Sequence, residues 1–250
     1  MLIWCSTHNV FISTAITDGP ERKVWLIGTR HLAALESFLH RAGNLDLGLE
    51  SRGFNLLWHC RKDTQATDVM DIMGKMKRSE QSDPDLLFLH IGGVEITEKI
   101  EQDFKYRVQE LIDTIASEFP GTKLAWIQLL PEKLPDKLNL AKLNKQRNFV
   151  DDHLAVYALS KGASYVRLQH DLRDKRMFKV TKNEIKILPH AIDLLKSVLK
   201  GGVLSILDRG ILIHPDMTLL PKQCHMFVGK NRELFQKIRK VNKRPWTAKK

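Results

Sequence analysis

The sequence predicts an α/β fold: a three-layer α/β/α sandwich on a five-stranded parallel sheet. Three observations predict it. Short apolar runs begin near Lys23, Phe54, Leu86, Lys123 and Ser164, each of strand length. Segments with apolar residues at helical spacing separate them. Gly or Pro punctuates most junctions, at Gly28, Gly43, Gly92-Gly93, Pro120-Gly121, Pro131, Gly162 and Pro189. Alternating strands and helices argue a parallel sheet covered on both faces, with right-handed crossovers. The expected strand order is flavodoxin-like, 2-1-3-4-5. The 250 residues can enclose one sizeable core.

Residues 1–22 read as an N-terminal extension, ending at the turn signal Thr17-Asp18-Gly19-Pro20. The first strand spans 23–29 and stops at Gly28-Thr29; a helix over about 30–42 ends near Gly43. Phe54–His59 is the second strand. A helix over 66–77 follows, whose Met70, Met73 and Met76 are core packing. Leu86–Ile91 is the third strand and runs into Gly92-Gly93. A long amphipathic helix over 97–118 carries Ile100, Phe104, Val108, Leu111, Ile112 and Ile115 on one face. Lys123–Leu130 is the fourth strand. A helix over 138–161 and the strand Ser164–Leu168 come next. A loop is expected over 169–188, then a helix that Pro189 opens and Gly201-Gly202 stops. The main domain is therefore expected at 23–202, with 203–250 a C-terminal extension; Gly210–Ile213 within it could add a strand.

The formal net charge is +11, but about +8 of it lies in the last 21 residues. The basicity belongs to the tail, not to the body. Its cluster Lys237, Arg239, Lys240, Lys243 and Arg244 fits nuclear import or contact with nucleic-acid phosphates. Cys5, Cys60 and Cys224 form no CxxC pair, which argues against zinc and disulfide frameworks. A reducing intracellular compartment, cytoplasmic or nuclear, is expected. No apolar run approaches the roughly 20 residues of a membrane span. No cofactor or metal is implied.

In open α/β folds, ligands bind outside the carboxyl ends of the strands. Three such ends should meet: Gly28-Thr29-Arg30, Gly92-Gly93 with Val94 and Glu95, and Gln128–Pro131. Gly28, Thr29, Arg30, Gly92, Gly93 and Glu95 are the expected pocket mouth. His90 is expected as a hydrogen-bonded core histidine, Glu95 as a helix cap and Cys60 as an inert thiol.

These ends, with the strings PDLLFLHIGG and GTKLAWIQLLP, resemble the SGNH hydrolase (GDSL-type esterase) family. The nearest likeness is to SGNH-like domains of vertebrate retrotransposable elements. The resemblance covers about 23–200 and implies the same sandwich. It also implies catalytic positions, and the chain departs from the family at each. Arg30 stands where the family has its serine nucleophile, after Thr29. The segment His59–Asp63 lacks the glycine that donates a backbone N–H to the oxyanion. Val94 replaces the asparagine donor. Asn183 and Lys186 fall at the Asp-x-x-His positions. A protonated arginine cannot attack a carbonyl, and each lost oxyanion donor costs roughly 100- to 1,000-fold in rate. The expected function is thus a degenerate, mobile-element-derived hydrolase-like protein that binds a protein or an anionic ligand. Two alternatives stand beside it: a divergent esterase of small acyl esters working through Thr29 and a histidine, and a nucleic-acid-binding accessory protein acting through its tail.

Overall fold

A six-stranded, all-parallel sheet is the middle layer of the computed structural model, which describes residues 2–5, 10–13, 20–92, 101–130, 140–168, 177–180, 185–215 and 236. Its strands are β1 (Arg22–Gly28), β2 (Phe54–Cys60), β3 (Leu86–His90), β4 (Lys123–Ile127), β5 (Ser164–Val166) and β6 (Ile213–His214). The spatial order is β6-β5-β4-β3-β1-β2. The expected order 2-1-3-4-5 is present, with a sixth strand added beside β5.

Strand alternation sorts the core into two layers. Trp25, Ile27, Leu87, Leu89 and Trp126 point one way. They meet Met73 of α2 (Val69–Glu80), Val108 of α3 (Glu101–Glu118) and Leu154 of α4 (Leu140–Ser160). Val24, Leu26, Phe88, Ala125 and Ile127 point the other way. They meet Leu32 and Leu35 of α1 (Arg30–Arg41) and Leu195 and Leu199 of α5 (Pro189–Arg209). Each such fully buried side chain stabilises the fold by about 1.5–3 kcal/mol. Met73 and Met76 are buried, as core packing requires.

Three expectations change. The helix from Pro189 does not stop at Gly201-Gly202; it continues to Arg209, across the expected domain boundary. The glycines act by size. A Cβ on Gly201 would lie 2.8 Å from His214 Nε2, and one on Gly202 would lie 3.3 Å from Phe88. Their hydrogens let α5 press onto the sheet and onto β6, where His214 Nδ1 and Ser205 Oγ are 3.0 Å apart. The expected loop at 169–188 contains, in its described part, an antiparallel ribbon of Phe178–Val180 and Ile185–Ile187. β4 ends at Ile127 rather than Leu130, because Leu129 N leaves the ladder and donates to Asp151 Oδ1 at 3.1 Å. Within the expected N-terminal extension, Leu2–Cys5 and Val10–Ser13 pair antiparallel.

Candidate functional site

The turn after β1 is held from both sides. Thr29 N donates to His90 O at 3.1 Å, and Gly28 O accepts from Arg61 N at 3.0 Å. The chain therefore leaves the sheet between the ends of β2 and β3. Gly28 is needed here because a Cβ would lie 2.5 Å from Leu32 Cδ1. Gly92, which follows β3, has φ of +104° and faces Phe104 so closely that any Cβ would overlap the ring. Glycine alone suits that position.

Thr29 is fully buried, and its Oγ1 lies 3.3 Å from Nδ1 of buried His90. Burial, helped by His31 and Arg147, pushes the His90 pKa down to about 3. The ring is neutral at physiological pH, so His90 is the hydrogen-bonded core histidine the sequence implied. His31 is also fully buried, its ring 5.6 Å from that of Phe178. Cys60 is half-buried and directs Sγ to Leu26 O at 3.7 Å. Burial and nearby Glu36 raise its pKa well above the usual thiol value, which disfavours the thiolate.

Because Thr29 turns its hydroxyl to His90, it makes no side-chain cap for α1, and α1 has no acidic residue in its first turn. At this end of the helix lies a cavity of about 310 Å³. Arg30, His31, Ala33, Ala34 and Ser37 of α1 line one side; Lys62 from the loop after β2, and Lys186 and Ile187 of the ribbon, complete it. Among the described lining residues, three basic ones from three separate segments converge. Arg30 and Lys186 were both singled out from sequence. Lys62 was not, since nothing in the linear chain sets it beside Arg30.

Asp63 is exposed in the same loop as Lys62. Gly93, Val94, Glu95, Asn183 and the basic cluster Lys237, Arg239, Lys240, Lys243 and Arg244 lie outside the described residues. Among the described residues, no group of three or more His, Cys, Asp or Glu converges as a metal site. No described helix is long and apolar enough to cross a membrane.

Behind the mouth is a polar network that sequence reasoning missed. Buried Asp151 of α4 accepts from Trp126 Nε1 at 3.0 Å, Leu129 N at 3.1 Å and Tyr165 Oη at 2.8 Å. Arg147, one turn earlier, donates to Leu129 O. Burial raises the Asp151 pKa, while the three donors and Arg147 hold it back. A signal existed: Arg147, Asp151 and Asp152 share a helix with Val150 and Leu154, and all five are buried.

No protein-family model and no curated protein matches the sequence. Solved structures do match. A Bacteroides fragilis protein assigned as an acylhydrolase superposes at TM-score 0.57 and 12% identity, over 76% of this chain and 90% of its own. A GDSL-like lipase from Bacteroides thetaiotaomicron gives 0.54 and 11%, over 73% and 88%. An acetylxylan esterase from Geobacillus stearothermophilus gives 0.50 and 8%, over 72% and 93%. The chain has the SGNH hydrolase fold. Identities this low speak for the backbone arrangement alone. The turn after β1 holds buried Thr29 and half-buried Arg30.

Proposed function

We propose that this protein is a catalytically degenerate SGNH hydrolase-like protein that binds an anionic ligand instead of hydrolysing an ester. The observation that carries this is Arg30 at the nucleophile's place, sharing a cavity with Lys62 and Lys186. A fixed guanidinium is an anion receptor and not a nucleophile. The likeness of its third- and fourth-strand strings to SGNH-like domains of retrotransposable elements supports a mobile-element origin. The test is hydrolysis of short p-nitrophenyl esters together with fluorophosphonate labelling. Neither turnover nor labelling is expected; stoichiometric labelling at Thr29 would overturn the reading.

One observation favours a divergent esterase: the 3.3 Å contact between Thr29 Oγ1 and His90 Nδ1. Nucleophile and base in reach is the geometry such a reaction needs. Two facts weigh against it. Thr29 has no accessible surface for a substrate to meet. An imidazole with a pKa of about 3 is a feeble acceptor for a hydroxyl proton. Nucleic-acid contact through Lys237–Arg244 is a separate proposal that rests on sequence alone.

A further inference from the structure

The two edges of the sheet are unlike. β6 is two residues long and is followed by Pro215. β2, at the other edge, runs for seven residues, and β1 is its one partner in the sheet. Arg22 N donates to Gly53 O and Arg61 N to Gly28 O, so the register turns the odd-numbered residues of β2 towards β1. The backbone N–H and C=O groups of the even-numbered ones point outward. At both ends of this edge the amides are taken. Phe54 N donates to Leu49 O at 3.3 Å, and Cys60 N donates to the Glu36 carboxylate. Among the described residues, nothing bonds the outward groups of Leu56 and Trp58 between them.

Edge strands are commonly shielded by charge, proline, a bulge or shortness. The string FNLLWHC has none of these. Its register with β1 is unbroken, and it contains no Lys, Arg, Asp, Glu or Pro. Burial, with Arg61 and Lys75 nearby, lowers the His59 pKa and keeps that ring neutral at physiological pH. Such a strand is complementary to itself. Run antiparallel to its own copy about a two-fold axis at Leu57, it sets Leu56 opposite Trp58 of the second copy. That pair exchanges two N–H···O bonds, and symmetry repeats it. On the α2 face, Leu57 meets Leu57 of the second copy. Next to it, His59 meets Asn55 of the second copy. His59 Nε2 is buried with no hydrogen-bond partner among the described residues, and an amide neighbour can supply one. Beyond the strand, Glu50 and Arg52 of one copy come against Arg61, Lys62 and Asp63 of the other, so both signs of charge are present at each end.

We propose that the outer edge of β2 is a homodimer interface, where two copies join antiparallel through Leu56 and Trp58 and their sheets become one. The proposal does not depend on how the strand-end site is read.

Sedimentation equilibrium of the full-length protein tests it. A concentration-dependent species of twice 28.8 kDa is expected. Protection of the Leu56 and Trp58 amides from hydrogen exchange should rise with protein concentration. Leu57→Lys sets like charges opposite each other and should weaken the dimer by about a hundredfold or more. Leu57→Glu should do the same, and an equimolar mixture of the two variants should form the dimer again. A protein that stays monomeric at about 100 μM overturns the inference. So do open-ended oligomers, amides of Leu56 and Trp58 that exchange alike at every concentration, or a dimer that both variants leave intact. A mixture of folded variants that stays monomeric overturns the two-fold register. Should either variant unfold, the exchange data on the unaltered chain decide alone.

Discussion

Thr29 Oγ1 and His90 Nδ1 lie 3.3 Å apart, sealed beneath the carboxyl ends of two neighbouring strands. The hydroxyl that could have capped α1 is spent on the imidazole instead. Thr29→Val keeps the shape and removes the partner of a buried nitrogen, so it should destabilise by roughly 1–3 kcal/mol. Urea unfolding measures this. A loss of ester turnover without a loss of stability would show that the pair is catalytic and not structural.

The same histidine makes the fold sensitive to acid. Its folded pKa, about 3, is lower than the 6.5 of an unfolded chain. Between those values the unfolded state binds the extra proton, so stability falls as pH falls from about 6.5 towards 3 and is complete above that window. From pH 7 to pH 5 the His90 contribution amounts to roughly 2 kcal/mol. His90→Gln should lose about that much less over the same interval. Identical pH slopes in the two proteins would refute the assignment. His214, whose pKa burial depresses to about 4, adds acid loss of the same sign in both.

Gly92 is the tightest point of the mouth. Its positive φ and its closeness to Phe104 both exclude a side chain. Gly92→Ala is expected to cost at least about 2 kcal/mol, read as a lowered thermal midpoint. A neutral result would mean that the turn after β3 relaxes freely.

Asp151 holds three donors from β4, the residues just after it and β5. Asp151→Ala would leave them buried without an acceptor and Arg147 without its neighbouring carboxylate. The expected loss is about 3–5 kcal/mol. Hydrogen exchange should localise the opening to the ends of β4 and β5; uniform exchange across the sheet would argue against a local role.

The tail proposal has a direct check. Removing residues from about Lys237 should abolish retention on nucleic acid in low salt and leave the melting temperature unchanged. Retention that survives the deletion would move the contact to the body.

Much of this fold is legible in the sequence. β1 to β5 and their helices follow from apolar periodicity, because a strand buried on both faces reads as an unbroken apolar run. The turn at Gly28-Thr29-Arg30 was readable because glycine and polar residues interrupt that run. What could not be read depends on contacts distant in sequence. Gly201-Gly202 carries the same letters as a helix stop and becomes a helix interior only because Phe88 and His214 press against it. Lys62 joins Arg30 through the pairing of β1 with β2, and Lys186 joins them through a ribbon whose strands are three residues each. The Thr29–His90 contact needed the register that sets Gly28 opposite His90.

The two glycines of α5 have a practical corollary. A chain shortened at Gly202 would lose the last two turns of the helix and, with them, β6. Tyr165 N and Arg167 N, which now donate to Leu212 O and His214 O, would face solvent along the outer side of β5. That is an open sheet edge, the kind that recruits strands from other molecules. Such a fragment is expected to aggregate, and one carried through Pro215 is not.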